Sequence, residues 1–356
     1  MQPARPATAA PRLALRCDGD DEIGAGHVAR CLPLAEAFRQ RGWDCVFVGR
    51  FGGLARWLLE RERLASAPAQ DGPAGLRAGE WTAAVVDGYA FDEAQLCALA
   101  RALPVAFVGE AARCPDAGVH IDYHFTPTPT ATATATPAAT PTPTPTATPA
   151  ATATPTARAV GVLRGPRYAP VDPRFAAAAD DRREVRAALV TVGGSRAART
   201  LAGPAVDALR EAFPLARVWV ASGVEIADRE RVTALAFPGS LLDVVADVDV
   251  AVSAAGLTAY ELAAAGVASV LVAVAANQQP VIDGFERAGA ALTVAAGEPQ
   301  EALTAAVGRL REPALRASLS AAGRALVDAR GAARVAAALD ERWRGAASAH
   351  RGWGDH

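Results

Sequence analysis

The chain has 356 residues, 51% of them apolar and 21% charged, which is too long for one ordinary hydrophobic core and suits two domains. All 36 cationic side chains are arginine, the formal net charge is −2, and no basic stripe interleaves with aromatics, so a nucleic-acid partner is disfavoured and a small neutral or acidic ligand is expected. Cys17, Cys31, Cys45, Cys97 and Cys114 are odd in number and form no CxxC pair, which predicts free thiols rather than a disulfide framework or a zinc site. The N-terminal stretch lacks an apolar signal core, and no apolar run approaches the ~20 residues of a membrane span. A cytoplasmic monomer without membrane insertion is the expectation.

Residues 1–11 carry no structural pattern and are predicted to be disordered. From residue 12, short apolar runs alternate with amphipathic stretches, the pattern of βα units around a parallel sheet. "LALRC" (13–17) predicts a strand, followed by a glycine turn and a helix over 27–40. "CVFVG" (45–49), "AAVVD" (83–87) and "VAFVG" (105–109) predict three more buried strands, giving a Rossmann-like domain over 12–125. Residues 126–157 contain only Thr, Pro and Ala. With nothing large to bury and prolines that forbid helix and inner strand, they predict a polyproline-rich tether. Strand-like runs resume at 186–194, 216–222, 248–256 and 268–275, with helical stretches at 200–213, 257–265 and 278–288. They predict a second Rossmann-like domain over 158–340 and a tail over 341–356. The class is therefore α/β, two Rossmann-like domains facing across a cleft in the GT-B manner, with ligands at the C-terminal ends of the strands.

The stretch "DDEIGAGHVARC" (20–31) holds the only histidine of the first hundred residues. Its glycines, Gly24 and Gly26, permit close backbone approach, and the following helix places His27 at an N-terminus. The positive end of the helix dipole disfavours a charged imidazole there, so His27 could accept a proton. A histidine that merely packs the turn fits the position equally well. Across the cleft, Gly193, Gly194 and Ser195 end one strand, and "SAAGLTAYE" (253–261) ends another in a turn of small residues; both could offer amides to a diphosphate. Glu261 is placed for a ribose diol or for complementing a helix dipole. Asn277 and Gln278 follow the next strand and suit sugar hydroxyls or a helix cap. Asp87 and Tyr89 lie at the end of the third strand, on the same rim as His27. The "DVDV" run at 247–250 leads into a buried strand and is read as structural, so no metal and no cofactor are expected.

These residues carry a resemblance. Arg16, Asp18, Ile23, Gly24, Gly26, His27, Arg30 and Cys31 match the signature of the nucleotide-sugar hydrolases of pseudaminic-acid biosynthesis, relatives of MurG-type glycosyltransferases. Asp87 and Tyr89, the "GPRYAPVDPRF" linker (165–175), Gly193 and Gly194, the "SAAGL" turn, and Asn277 with Gln278 follow in order. The resemblance implies hydrolysis of UDP-2,4-diacetamido-2,4,6-trideoxy-β-L-altropyranose to UDP and free sugar. It implies His27 as the base activating water, Tyr89 and Asn277 at the sugar, and Ser253, Gly256 with Leu257, and Glu261 around UDP. Arg16, Asp18, Gly24, Gly26, Asp87 and Gln278 complete the binding set. The chain departs from that pattern at Ser195-Arg196 and in the acidic run Asp20, Asp21, Glu22. A glycosyltransferase with a sugar or lipid acceptor is the first alternative, for which the amphipathic stretch 48–64 could be a docking face. A sugar-nucleotide binder without catalysis is the second.

Overall fold

The computed structural model describes residues 10–20, 22–109, 118–125, 161–177, 184–192, 200–221, 230–235, 239–275 and 278–351, with side chains to 344. Two all-parallel sheets account for the strands. The first contains β1 (Arg12–Cys17), β2 (Asp44–Val48), β3 (Ala65–Ala67), β4 (Ala83–Asp87), β5 (Val105–Val108), β6 (Val119–Asp122) and β7 (Gly161–Arg164), in the order β3-β2-β1-β4-β5-β6-β7. The second contains β8 (Ala187–Thr191), β9 (Arg217–Val220), β10 (Val232–Ala234), β11 (Val250–Ala254), β12 (Ala268–Val272) and β13 (Leu292–Val294), in the order β10-β9-β8-β11-β12-β13. Their central strands are buried along their length, which is why they read in the sequence as continuous apolar runs rather than alternating ones. In each sheet the order reverses once, between β1 and β4 and between β8 and β11. A doubly wound sheet opens a ligand crevice at such a point.

Helix α1 (Gly26–Arg39) buries Val28, Cys31, Leu34, Ala35 and Phe38, a stripe at three- and four-residue spacing, against β1 and β2. The stretch 48–64 supplies α2 (Gly53–Arg61), whose Ala55 and Leu59 are buried in the same core, so its apolar face is used within the domain. Helix α3 (Glu93–Ala102) lies on the opposite face of the sheet, capped by Asp92, which accepts from the Gln95 amide at 2.7 Å. In the second unit, α4 (Ala202–Ala212), α5 (Leu257–Ala265), α6 (Gln279–Arg287), α7 (Gln300–Arg309) and α8 (Pro313–Leu326) flank the sheet. Helix α9 (Gly331–Arg351) closes the chain.

Two boundaries differ from the expectation. Strand β7 pairs with β6 in parallel, Val119 opposite Gly161 and Asp122 opposite Arg164, so the first sheet extends to Arg164. The Thr/Pro/Ala stretch, outside the described residues, is therefore an insertion in the β6–β7 crossover of the first domain. The connection between domains is the segment after β7, built of short 3-10 turns at Pro166–Tyr168 and Pro173–Ala177. The second difference is α9, which begins inside the expected second domain and runs into the expected tail. It returns to the first domain, where Ala332, Val335, Ala336, Leu339 and Trp343 join the core of β1 and α1. Trp343 stacks on Phe38 with centroids 5.6 Å apart, and Asp340 accepts from Trp43 Nε1 at 2.7 Å and Arg41 Nε at 3.0 Å.

Further contacts cross between the domains. Arg61 donates twice to Asp243, at 2.8 and 3.1 Å, while Arg174 bridges Glu62 at 2.8 Å and Asp172 at 2.7 Å. The "DVDV" run is structural as expected: Asp249 accepts from the Arg186 and Ala187 amides at 2.7 and 2.9 Å, tying β11 to β8. Cys17, Cys31, Cys45 and Cys97 are free thiols, and burial pushes Cys45 up to about 12. Cys114 lies outside the described residues. Among the described residues, no helix is long and apolar enough to cross a membrane.

Candidate functional site

The loop from β1 to α1 is set by Asp20, whose carboxylate accepts from the Glu22 and Ile23 amides at 3.0 and 2.9 Å. This local cap gives the acidic run a structural use. Gly24 then takes φ +78°, a left-handed conformation with open space around it, and α1 starts at Gly26. His27 consequently stands in the first turn of α1. Its partner is Asp87, the last residue of β4, which lies opposite Cys17 of β1 at the switch point of the sheet.

The His27 Nδ1 to Asp87 Oδ1 distance is 2.7 Å, and both side chains are buried. Arg30, one turn further along α1, grips the same carboxylate through both oxygens, Nε to Oδ2 at 2.7 Å and Nη2 to Oδ1 at 2.8 Å. Arg30 Nη2 also lies 2.7 Å from His27 Nδ1. A hydrogen on Nδ1 makes the carboxylate contact a hydrogen bond, and we assign that tautomer; Nη2 then directs its hydrogen to Asp87 Oδ1, and its approach to Nδ1 is a packing contact. That tautomer leaves the lone pair on Nε2, where it can take a proton. Burial pushes the Asp87 carboxyl up, but the Arg30 guanidinium and the His27 hydrogen bond outweigh it and hold the group below the usual carboxylate range. Burial alone would lower Arg30, yet Asp87 beside it raises it well above its ordinary value. The histidine is thus oriented by a carboxylate that is itself kept ionised, a stronger arrangement than the helix dipole alone.

Tyr89 edges onto the His27 ring with centroids 5.2 Å apart and is 77% exposed, which makes it the solvent-facing wall of the cluster. Tyr123, just beyond β6, is buried. Burial pushes that phenol up to about 12, with the Arg30 charge opposing. Neither Arg30 nor Tyr123 was given a role from the sequence. Arg30 had a signal, since three residues separate it from His27 on one helix face. Tyr123 had none.

Arg16 and Asp18 are placed elsewhere. Successive side chains of a strand point to opposite faces, and Arg16 lies on the α3 side of β1, with its guanidinium 4.6 Å from the Phe91 ring centroid. It donates to Ala74 O at 2.7 Å, Val48 O at 3.2 Å and Asp18 at 2.9 Å, and Asp18 also accepts from the Arg50 amide at 2.8 Å. Together they brace the ends of β1 and β2.

In the second domain, β11 ends at the switch point, with Ser253 opposite Thr191 of β8. Ser253 is fully buried and its hydroxyl donates to Ala254 O at 2.9 Å. Gly256 caps α5 without a side-chain partner, and a Cβ there would meet open space. The Gly256 amide itself is taken by Ala254 O at 2.9 Å, so the opening lies on the side where a Gly256 side chain would stand, next to the first turn of α5. Glu261 sits one turn further along, half-buried. Burial pushes its carboxyl up to about 7, Thr258 hydrogen-bonding against that trend and Asp172 adding to it. Gln278 accepts from the Val274 amide at 3.0 Å, closing the turn after β12. Gly193, Gly194, Ser195 and Asn277 lie outside the described residues. Among the described residues, no three His, Cys, Asp or Glu side chains are grouped to hold a metal ion.

No protein-family model and no curated protein sequence matches the chain. Solved structures do resemble it. MurG of Acinetobacter baumannii superposes with TM-score 0.57 at 17% identity, covering 93% of this chain and 99% of that one. The spinosyn forosaminyltransferase SpnP gives TM-score 0.59 at 12% identity over 95% of this chain and 100% of that one. The Streptomyces sp. SF2575 glycosyltransferase SsfS6, complexed with thymidine diphosphate, gives 0.54 at 17% identity over 91% and 99%. The fold is that of GT-B proteins, two Rossmann-like α/β domains, as expected from the sequence.

Proposed function

We propose that the protein acts on a nucleotide-diphosphate sugar, with His27 Nε2 taking the proton of a hydroxyl nucleophile as it attacks the anomeric carbon and the nucleoside diphosphate leaves. The observation that carries this reading is the His27–Asp87 pair at the switch point of one sheet, facing a domain whose own switch point ends in a turn of small residues. Asp87 fixes the Nδ1 hydrogen and stabilises the imidazolium that forms, and Arg30 keeps Asp87 ionised. The first-turn amides of α5 from Leu257 onward, reached through the space beside Gly256, receive the diphosphate together with Gly193, Gly194 and Ser195, as its charge grows while the bond breaks. Glu261 takes the ribose diol, Tyr89, Asn277 and Gln278 take the sugar, and Ser253 shapes the turn. Gly24 and Gly26 leave the loop low enough for the substrate to reach His27.

The match of the 16–31 stretch to the pseudaminic-acid hydrolase signature supports water as the nucleophile and a UDP-linked 2,4-diacetamido-2,4,6-trideoxy sugar as the substrate. Likeness in fold to MurG, SpnP and SsfS6 supports the second reading, a transferase in which an acceptor alcohol replaces water. The test is UDP release from UDP-2,4-diacetamido-2,4,6-trideoxy-β-L-altropyranose in oxygen-18 water without acceptor, for wild type and His27→Ala. Release that puts the label on the sugar, and that the variant loses, supports the hydrolase. UDP binding without release turns the search to acceptors. Turnover by His27→Ala at the wild-type rate would sink both readings.

A further inference from the structure

Arg16 is 6% exposed, and a buried charge is destabilising unless partners hold it. Nε donates to Ala74 O at 2.7 Å, and Nη1 donates to Val48 O at 3.2 Å and to Asp18 at 2.9 Å. Asp18 is fixed in turn by the Arg50 amide at 2.8 Å. The backbone is shaped around the group. A Cβ at Gly49 would fall 2.9 Å from Arg16 Nη1 and 1.9 Å from Cys17 O, and Ala74 takes φ +53°, a left-handed conformation that residues other than glycine rarely adopt. The guanidinium carbon stands over the Phe91 ring, 4.6 Å from its centroid.

Phe91 leads back to the histidine cluster. Its ring, 7% exposed, is packed so closely over Gly88 that a Cβ there would fall 2.8 Å from Phe91 Cε2 and 3.4 Å from Cδ2. Gly88 joins Asp87, the partner of His27, to Tyr89, whose ring meets the His27 ring edge-on with centroids 5.2 Å apart. Tyr89 itself is 77% exposed, so the turn beneath it, rather than burial, sets where it stands. We propose that Arg16 is a positioning residue that acts through Phe91: it seats the ring on Gly88 and so fixes the 88–91 turn that presents Tyr89 beside His27. The inference rests on the reading of Tyr89 as a sugar contact next to the base. Only a planar guanidinium suits the arrangement, because it reaches Ala74 O, Val48 O and Asp18 along its edges while giving a face to the ring. A lysine would supply the charge without the plane.

The test reads His27 directly. In protein with histidine labelled in carbon-13, the Cε1–H signal of His27, assigned by its loss in His27→Gln, carries the ring-current shift of Tyr89. Tyr89→Leu gives its position without that ring. Phe91→Leu leaves the polar contacts of Arg16 in place but removes the ring over Gly88, and it should move the signal most of the way to the Tyr89→Leu position. Arg16→Lys, which keeps a charge beside Asp18, should move it in the same direction, and combined with Phe91→Leu should add nothing further. On turnover, KM for the nucleotide sugar should rise about tenfold in Phe91→Leu at nearly constant kcat, the worth of one positioned contact to the substrate. Phe91→Leu together with Tyr89→Leu should raise KM no more than Tyr89→Leu alone. An unmoved His27 signal in either Phe91→Leu or Arg16→Lys, even with a lower Tm, would reduce Arg16 to bracing β1 and β2 and overturn the proposal. Absence of any nucleotide-sugar turnover by the wild type would instead sink the proposed reaction, with the histidine signal still deciding the positioning.

Discussion

The two switch points of the molecule are built from different materials. In the first domain, His27 and Arg30 come from α1 and Asp87 from β4, and each is held by the next through a contact between side chains. In the second, the corresponding ground is backbone: Ser253 turned onto its neighbour's carbonyl, Gly256 without a side-chain cap, and open space beside Gly256 at the start of α5. A proton acceptor needs its orientation and charge fixed by distant partners, whereas a diphosphate needs unobstructed amides. The first half should therefore fail when side chains are trimmed, and the second when bulk is added.

The largest effect on this contrast comes from His27→Ala. Loss of a general base lowers turnover by about a hundredfold to ten-thousandfold. Nucleotide affinity, set in the other domain, should stay within a factor of a few. A parallel loss of nucleotide binding, measured by calorimetry, would break the division of labour. Asp87→Ala should act on stability as well, because it leaves Arg30 buried without its partner. Breaking one side of such a pair costs about 3–5 kcal/mol, readable as a lower urea midpoint. The pH dependence follows from the depressed Asp87 carboxyl. Its proton is bound more readily in the unfolded chain, whose aspartates titrate near ~3.9, so its stabilising contribution is full above that value and drains as pH falls through the folded one. Asp87→Ala should flatten the acid limb of the stability profile.

In the second half the reverse experiment is informative. Gly256→Val places a branched side chain where the protein leaves space, so the melting temperature should hold within a degree or two. Nucleoside diphosphate affinity should fall at least about tenfold, the worth of one blocked charge-assisted hydrogen bond. A variant that binds as well as wild type would move the diphosphate away from α5. Glu261 sharpens the same half through pH. Its folded carboxyl titrates at about 7 against about 4.3 in an unfolded chain, so between those values the folded state holds the extra proton. Stability falls as pH rises through that window, and Glu261→Gln should remove the slope, with its largest relative gain above pH 7.

The difference between the halves also explains what the sequence disclosed. Apolar runs announced β1, β4, β8, β11 and β12, because strands buried on both faces leave little choice of residue, and glycine turns after them marked both switch points. Asp87 and Tyr89 were found beside His27 because they end such a run. Arg30 sat in plain view, but its grip on a carboxylate 57 positions away is a tertiary fact. Arg16 was read as a ligand contact from its motif, while the strand alternation that turns it toward Phe91, away from α1, was not applied. Strand β7 was missed because its only neighbour is reached across the Thr/Pro/Ala stretch. The return of α9 was missed because an amphipathic helix does not say which domain it will cover.

The smallest effect concerns what keeps the halves facing one another. Arg61 and Asp243 join the domains through two hydrogen bonds, but their side chains are 30% and 51% exposed, and exposed pairs contribute about 0–1 kcal/mol. Tyr123, by contrast, is buried against Tyr260 with Phe125 partly buried beside it, and α9 adds a buried aromatic stack. If apolar contact dominates the docking, Arg61→Ala should lower the melting temperature by no more than a few degrees at low salt and by nothing measurable at 1 M salt, where the Debye length shrinks to about 3 Å. A larger loss of melting temperature, persisting at 1 M salt, would show instead that the exposed ionic bridge governs docking and that the buried aromatic contacts merely follow it.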